Sequence, residues 1–508
     1  MNLPHRAVRL PPPQVIKDRT AGRQVRRNRP PLTPTPQPIQ EPIEHCPDIH
    51  RPLAPAPSRR GNQGRKLPPL FLGHIAGRAS LITIVPRAGF LRPHTEPLLS
   101  ALFLTSTPLL RNHNPLFLFR NFLDGLLDFF ATGLSDVDKT ASVTFTKHGM
   151  RKRVAIVGAT GITGQQFLVA LRNHPWFEIG VLAASERSAG KSYAEAIRDS
   201  KTGARRWWCQ EEPPQEALAL PVYEASALKL SGIDLVFSAV ESEPARELEP
   251  LYAKTTPVVS TASAFRYEQD VPIFIPGVNL DHIYLIDAQR KNRGWKGYIA
   301  TQPNCTTVGL AITLKPLFDT FGIKKVIMTS MQGVSGAGRS PGVIALDIID
   351  NIIPFISGEE EKVEKETRKI LGALGEGSIK PADFVVSATC TRAAVMEGHT
   401  ESVFASMERP CSVDDARAAM IEFGQSFVKQ GFPSAPQHMI IVHDDPFRPQ
   451  PRLDRDAEDG MATSVGRLRK DTALDNAIKY VLVSHNTKMG ASKGAVLMAE
   501  CLMQKGYI

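Results

Sequence analysis

Cys305 lies in the stretch Gln302-Pro303-Asn304-Cys305-Thr306-Thr307-Val308-Gly309, and Arg392 and then His399-Thr400-Glu401 follow it along the chain. A thiol can add to a carbonyl carbon and hold the acyl group as a thioester, provided a neighbouring group manages its proton. An imidazole titrates in the right range for that task, and a guanidinium presents a two-pronged fork that matches a carboxylate. Upstream, Gly158-Ala159-Thr160-Gly161-Ile162-Thr163-Gly164 has the spacing of a turn that seats a dinucleotide's pyrophosphate. Thiol, imidazole, guanidinium and glycine turn, in this order, point to thiol chemistry coupled to hydride transfer. Each alone has a blander reading, because most cysteines are small buried hydrophobes and a lone strand histidine is usually structural. Cys209, Cys390, Cys411 and Cys501 are assigned to the buried class. Cys305 differs in following Pro-Asn: a helix beginning at Thr306 would turn its positive end toward the sulfur and is expected to lower the thiol pKa.

The elements that must position these groups are readable around them. Residues 153–157 form an apolar run suited to a buried parallel strand, the glycine turn follows at once, and a helix is expected over about 163–174. Gly158 permits the tight turn, Gly161 lets backbone approach a pyrophosphate, and Gly164 allows the helix to pack on the sheet. A second strand at 179–184 completes a βαβ unit, and strands at 235–239 and 257–260 extend it into a doubly wound sheet. At the end of the second strand Ser185, Arg187 and Ser188 suit a 2′-phosphate, so NADP is expected; Glu186, turned inward, would favour NAD. After residue 302 the pattern changes to a helix at 306–320, β-rich segments at 324–332, 383–391, 400–407 and 438–443, and a charged helix at 359–372. This predicts an α+β half with an antiparallel or mixed sheet. Glu401, two residues beyond His399 in an extended strand, shares the histidine's face. The run Glu359-Glu360-Glu361-Lys362 reads by default as a solvated helix face. Lys488-Met489-Gly490-Ala491-Ser492-Lys493-Gly494 opens a final amphipathic helix over 495–504.

The net charge of +10 over 508 residues suggests nucleic acid until it is divided along the chain. Residues 1–149 hold 20 Lys+Arg and 9 Asp+Glu, leaving 61−20 = 41 basic and 51−9 = 42 acidic side chains for the remainder. The basic excess therefore belongs to the extension and says little about what the folded part binds. Residues 1–149 also carry 21 of the 41 prolines, in runs that cannot hold a helix or central strand. They read as a disordered extension with a short helix near 117–130. Met150-Arg151-Lys152-Arg153 before an apolar strand reads as a natural chain start, with an organelle-targeting presequence as the rival reading. No stretch reaches the ~18 uninterrupted apolar residues of a spanning helix. The six cysteines have no metal-type spacing, so no metal is expected, and a reducing, cytoplasmic setting with free thiols fits them.

A short-chain dehydrogenase would need Tyr-xxx-Lys, and none of the eight tyrosines has Lys four positions on. What the chain resembles is the aspartate-semialdehyde dehydrogenase family, in its fungal and archaeal branch. The resemblance covers residues 150–508 and rests on VAIVGATGITGQQF (154–167), DVPIFIPGVN (270–279), QPNCTTVGL (302–310), SGAG (335–338), EEEK (359–362), the Arg392…His399-Thr400-Glu401 segment and HNTKMGASKGAVLMAE (485–500). Arg339-Ser340-Pro341 after SGAG departs from the usual pattern.

The resemblance implies a cysteine-thioester reaction that interconverts aspartyl phosphate and aspartate semialdehyde with NADP and inorganic phosphate, on the route to threonine, methionine and lysine. Cys305 would be the nucleophile and His399 the acid/base. Arg392 would hold the substrate's α-carboxylate and Glu359 its amine, while Lys362 and Arg266 would form the phosphate site beside Asn304. Gly158, Thr160, Gly161, Ile162, Thr163 and Gly164 would seat the pyrophosphate, and Gly336, Ala337 and Asn486 would meet the nicotinamide half. It also implies a division into the extension (1–149), an NADP-binding domain (150–302), a catalytic and dimerisation domain (303–484), and a C-terminal helix (485–508) returning to the first domain, assembled as a homodimer or homotetramer.

Two rivals share the scaffold. N-acetyl-glutamyl-phosphate reductase would show a Gly-Cys-Tyr-Pro-type segment where this chain has Asn304-Cys305-Thr306-Thr307; malonyl-CoA reductase resembles the same branch and stays open. A third reading is a nucleic-acid- or membrane-binding protein with a basic arm, but residues 1–66 contain no aromatic side chain for stacking. A small-molecule substrate, with no nucleic acid and no membrane, is the expectation.

Overall fold

The computed structural model describes residues 151–337 and 345–508. The expectations for residues 1–149 and for the Arg339-Ser340-Pro341 loop lie outside the described residues.

Strand β1 (Lys152–Val157) is buried from Val154 onward and pairs in parallel with β2 (Phe177–Ala184) and β4 (Leu235–Ser238). Its apolar residues are covered on both faces, as a central parallel strand requires. With β3 (Val222–Glu224), β5 (Val258–Ser260) and β6 (Ile299–Thr301) it makes a six-stranded parallel sheet in the order β3-β2-β1-β4-β5-β6. The order reverses between β1 and β4, the switch point outside whose carboxyl ends dinucleotides bind in such sheets. Helix α1 (Ile162–Ala170) leaves β1 through the glycine turn. Gly158 has φ +84, and a Cβ there would lie 2.5 Å from the Ala239 carbonyl oxygen. At Gly164 a Cβ would meet the Gly158 carbonyl oxygen at 2.2 Å, so the helix can sit this close only without a side chain. The helix ends earlier than expected because Asn173 turns left-handed (φ 53) ahead of Pro175. Helices α2 (Ser242–Ala253) and α3 (Leu285–Arg293) complete the cover of this sheet.

The second sheet has seven strands in mixed directions, ordered β13-β14-β15-β12-β7-β11-β8. At its centre β7 (Ile323–Gln332) pairs antiparallel with β12 (His399–Met407) and parallel with β11 (Val385–Ala393). The remaining members are β8 (Ile352–Ile353), β13 (Ile440–Val442), β14 (Thr463–Lys470) and β15 (Ala477–Ser484), and β9 (Ala373–Leu374) with β10 (Ile379–Lys380) form a separate ribbon. One face packs on helices α4 (Cys305–Phe321), α5 (Glu359–Ile370) and α6 (Val413–Glu422), whose apolar residues share a core with Val326, Met328, Val386, Val403 and Leu482. The final helix α7 (Ser492–Gln504) places Ala495, Val496, Met498 and Leu502 in the core of the parallel sheet beside Phe167. Among the described residues no helix is long and apolar enough to cross a membrane.

Candidate active site

Asn304 is the N-cap of α4, its side-chain oxygen accepting from the Thr306 and Thr307 amides at 3.0 and 3.2 Å. Cys305 is therefore the first helical residue, one position earlier than expected, and its sulfur faces the cleft beneath the parallel sheet's carboxyl ends. His399 opens β12 directly behind it, fully buried, with Nε2 3.2 Å from Sγ. The Gly333 amide donates to Nδ1 of the same ring at 3.1 Å. An acceptor role for Nδ1 places the neutral ring's proton on Nε2, pointing at the sulfur.

Helix α5 brings the opposite wall. Glu359, at its first position, accepts from the Asn304 side-chain amide at 2.8 Å and from Lys362 at 3.4 Å. The default reading of a solvated face is corrected: Glu359, Val363, Glu366 and Ile370 are buried on one stripe, and Glu361 faces outward. Arg392 on β11 is buried and donates through Nη1 to the Gly333 carbonyl at 2.8 Å. Gly333 thus orients both the imidazole, by its amide, and the guanidinium, by its carbonyl. Gly336 lies against the same two side chains, where a Cβ would come within 3.0 Å of Arg392 Nη1 and 3.2 Å of His399 Cε1.

The charges settle as burial and neighbours dictate. Burial pushes the Cys305 thiol up to about 12, Glu359 adds to the rise, and Arg392, Arg266 and the Thr306 amide oppose it. This corrects the expectation of a dipole-lowered pKa: the helix end acts in the expected sense and burial outweighs it. Burial and then Arg392 lower His399 to about 3, so the resting pair is a neutral thiol beside a neutral imidazole. For Glu359 burial raises the pKa, but Lys362 and the Asn304 amide outweigh it and hold the carboxyl below its ordinary value. Glu401 shares the face of His399 on β12 yet does not reach the ring; it is fully buried beside Gly309, without a hydrogen-bond partner among the described residues, and burial raises it well above the ordinary range.

Cys305, Glu359, Lys362 and Arg392 border one cleft of about 670 Å³, a size suited to a cofactor and a small substrate. Gly161, Ile162 and Thr163 of the glycine turn line it together with Arg266, Asn304, Cys305, Glu359, Lys362 and Arg392, as do Gly336, Ala337 and Asn486. Asn486 is fixed by accepting the Gly398 amide and donating to the Ser335 hydroxyl, both at 2.8 Å. Gly158, Thr160 and Gly164 are outside the lining, as is His399 behind the sulfur. Ser185, Arg187 and Ser188 also stand apart, in and beside the exposed turn Glu186–Ser188 at the end of β2. The turn fits a pyrophosphate: a Cβ on Gly161 would meet only the Gly158 carbonyl oxygen, at 3.4 Å, and no side chain caps the first turn of α1. The expectation that Cys209, Cys390, Cys411 and Cys501 are buried holds for Cys390 and Cys501; Cys209 and Cys411, in loops, are only partly buried.

Three participants carried no signal strong enough to single out. The Gly333 amide is backbone. Glu366 accepts the Asn304 amide at 2.6 Å and Arg266 at 3.0 Å. Lys369 donates to the carbonyls of Arg266, Glu268 and Val271. The last two lie seven and ten positions after Glu359, a helical spacing that could have marked them.

Comparison with known proteins agrees with this architecture. Residues 153–286 match the family described as semialdehyde dehydrogenase, NAD binding domain, and residues 314–489 match semialdehyde dehydrogenase, dimerisation domain. The aspartate-semialdehyde dehydrogenase of Methanothermobacter thermautotrophicus is 46% identical over 349 residues, covering 69% of this chain and 98% of that protein. The enzyme of that name from Saccharomyces cerevisiae is 40% identical over 372 residues, covering 70% and 99%. The crystal structure of aspartate semialdehyde dehydrogenase with NADP from Candida albicans superposes with a TM-score of 0.63 at 40% identity, covering 71% of this chain and all of that one. A cysteine at a helix start, a histidine behind it and a glycine turn across one cleft are thus carried by a chain that belongs to the aspartate-semialdehyde dehydrogenase family.

Proposed function

We propose that this protein catalyses the NADP-dependent, reversible reductive dephosphorylation of aspartyl phosphate to aspartate semialdehyde, through a thioester on Cys305. The observation that carries the reading is the Cys305–His399 contact of 3.2 Å at the wall of a cleft that also holds Glu359, Arg392, Arg266 and Lys362. A substrate with an α-carboxylate and an α-amine meets Arg392 and Glu359 at one end. Its phosphoryl group meets Arg266, Lys362 and Asn304. In the reductive direction Sγ bonds to the acyl carbon as the carbon–oxygen bond to phosphate breaks, and the thiol proton leaves on hydrogen phosphate. The turn Gly158–Gly164, with Gly336, Ala337 and Asn486, would hold NADPH, which would supply the hydride that takes the thioester to the aldehyde. His399, expected as the acid/base, acts in this reading as a donor: its Nε2–H faces the negative charge that develops on the carbonyl oxygen and on the departing sulfur, and a proton from solvent restores the thiol. Ser185, Arg187 and Ser188 suit the 2′-phosphate.

The two sheets and α7 support a domain division at 150–302, 303–484 and 485–508. For assembly, the face of the seven-stranded sheet away from α4 and α5 exposes Ile327, Thr329, Val385, Ser387 and Thr389, which supports a sheet-to-sheet contact between copies, in a homodimer or a homotetramer. Nothing in the cleft favours malonyl-CoA reductase or N-acetyl-glutamyl-phosphate reductase over this reading. The test is a substrate panel on the full chain. NADPH formation should require aspartate semialdehyde, NADP and phosphate together, and faster turnover with malonyl-CoA or N-acetyl-glutamate semialdehyde would overturn the assignment.

A further inference from the structure

Glu366 has no place in the chemistry described so far, yet it is fully buried and fully engaged. One carboxylate oxygen accepts from Arg266 Nη1 at 3.0 Å and from the Tyr267 hydroxyl at 3.3 Å. The other accepts from the Asn304 amide at 2.6 Å, the peptide N–H immediately before the nucleophile. Arg266, itself buried, sends Nη2 to the Thr261 carbonyl at 2.8 Å, and among the described residues the Glu366 carboxylate is its one charged partner at hydrogen-bond distance. One turn further on, Lys369 ties the loop after Arg266 to the same helix by donating to three carbonyls at 2.8, 2.8 and 3.2 Å. A single carboxylate therefore joins the guanidinium of the phosphate end to the backbone that seats Cys305.

We infer that Glu366 is a positioning residue that weakens the phosphate site while it anchors the nucleophile. Its negative charge offsets that of Arg266, so an anion docking there meets a half-neutralised guanidinium and leaves readily. The same carboxylate, through the Asn304 amide, fixes the start of α4 and with it the sulfur. The two effects act on different kinetic quantities and in opposite directions. Loss of a residue that served only to hold the fold would instead weaken phosphate binding and turnover together.

This rests on the reading of Arg266 as a phosphate ligand, and Arg266→Gln tests that separately: if the variant keeps its KM for phosphate, that reading fails, whatever Glu366 does. The direct experiment is Glu366→Gln in the full chain. Steady-state rates would be measured at varied phosphate with aspartate semialdehyde and NADP saturating, inorganic phosphate titrated by calorimetry, and a thermal melt recorded. The expected result is a phosphate KM and Kd lower by about 3- to 10-fold, a kcat lower by about tenfold or more, and a KM for aspartate semialdehyde within about twofold. Unchanged or weaker phosphate binding, or an unchanged kcat, overturns the inference. Glu366→Asp keeps the charge beside Arg266 and shortens the reach to Asn304, and it decides the matter where the Gln variant does not fold. It should lose kcat with the phosphate KM unchanged, and parallel changes in both would overturn the proposal.

Discussion

Replacing Asn304 by Ala removes three hydrogen bonds next to the sulfur: two from the Thr306 and Thr307 amides to Oδ1, and one from Nδ2 to Glu359. Loss of an N-cap side chain costs about 1 kcal/mol. Stripping a partner from a buried carboxylate oxygen costs about 1–3 kcal/mol, and the lower half applies here because Glu359 keeps Lys362. The sum is about 2–3 kcal/mol. At about 2.1 cal/mol/K of unfolding entropy per residue over ~360 residues, that lowers Tm by about 3–4 °C. Asn304→Ser is the control, since a serine hydroxyl still caps the helix but is too short to reach Glu359. It should recover about 1 kcal/mol of the loss. Both variants should raise the KM for aspartate semialdehyde, because Glu359 loses the same amide in each. Thermal melts followed by circular dichroism, with initial rates at varied semialdehyde, separate the two contributions. Equal stability for the Ala and Ser variants would refute the capping account, and an unchanged KM in both would refute the placement of Glu359 at the substrate amine.

Three further outcomes follow from the geometry. Arg392→Lys exchanges a fork for a point charge, and should raise the KM for aspartate semialdehyde by about 10- to 100-fold while the phosphate KM stays put; a phosphate effect of equal size would contradict the division of the cleft. Gly336→Ala brings a methyl to 3.0 Å from Arg392 and 3.2 Å from His399, and should cut kcat by about tenfold or more with little change in Tm; full activity would show that the loop yields freely. With the Cys305 thiol held near 12 by burial and His399 near 3, its iodoacetamide alkylation in ligand-free protein should rise with pH from 7 to 9 without levelling off. A plateau below pH 8 would reveal a thiolate–imidazolium pair instead.

Much of this site is legible in the chain, and the exceptions have physical causes. Cys305, Arg392 and His399 stand out because their chemistry is rare in combination, and the glycine turn because close approach leaves no room for another residue at Gly158 or Gly164. The two charged sets on α5 are harder: Glu359 and Lys362 look solvated by composition, and only the helix's orientation shows that Glu359 and Glu366 face inward. The thiol's pKa could not be read either, because a helix dipole is visible in a sequence and burial is not. Strand β14 hides its alternation behind a register shift at Gly466–Arg469, where Arg467 takes φ 56. Its partner β15 offers only the short apolar run Tyr480–Val483 after Lys479, which does not distinguish a central strand from a buried helix.

The most direct test of the central claim is a single turnover with aspartate semialdehyde and NADP in the absence of phosphate, followed by intact and peptide mass spectrometry. Formation of NADPH up to one equivalent per chain, with an aspartyl thioester on the peptide containing Cys305 that phosphate then discharges, is the predicted result. NADPH formation that persists in Cys305→Ala, or an acyl group found on any other residue, would contradict it.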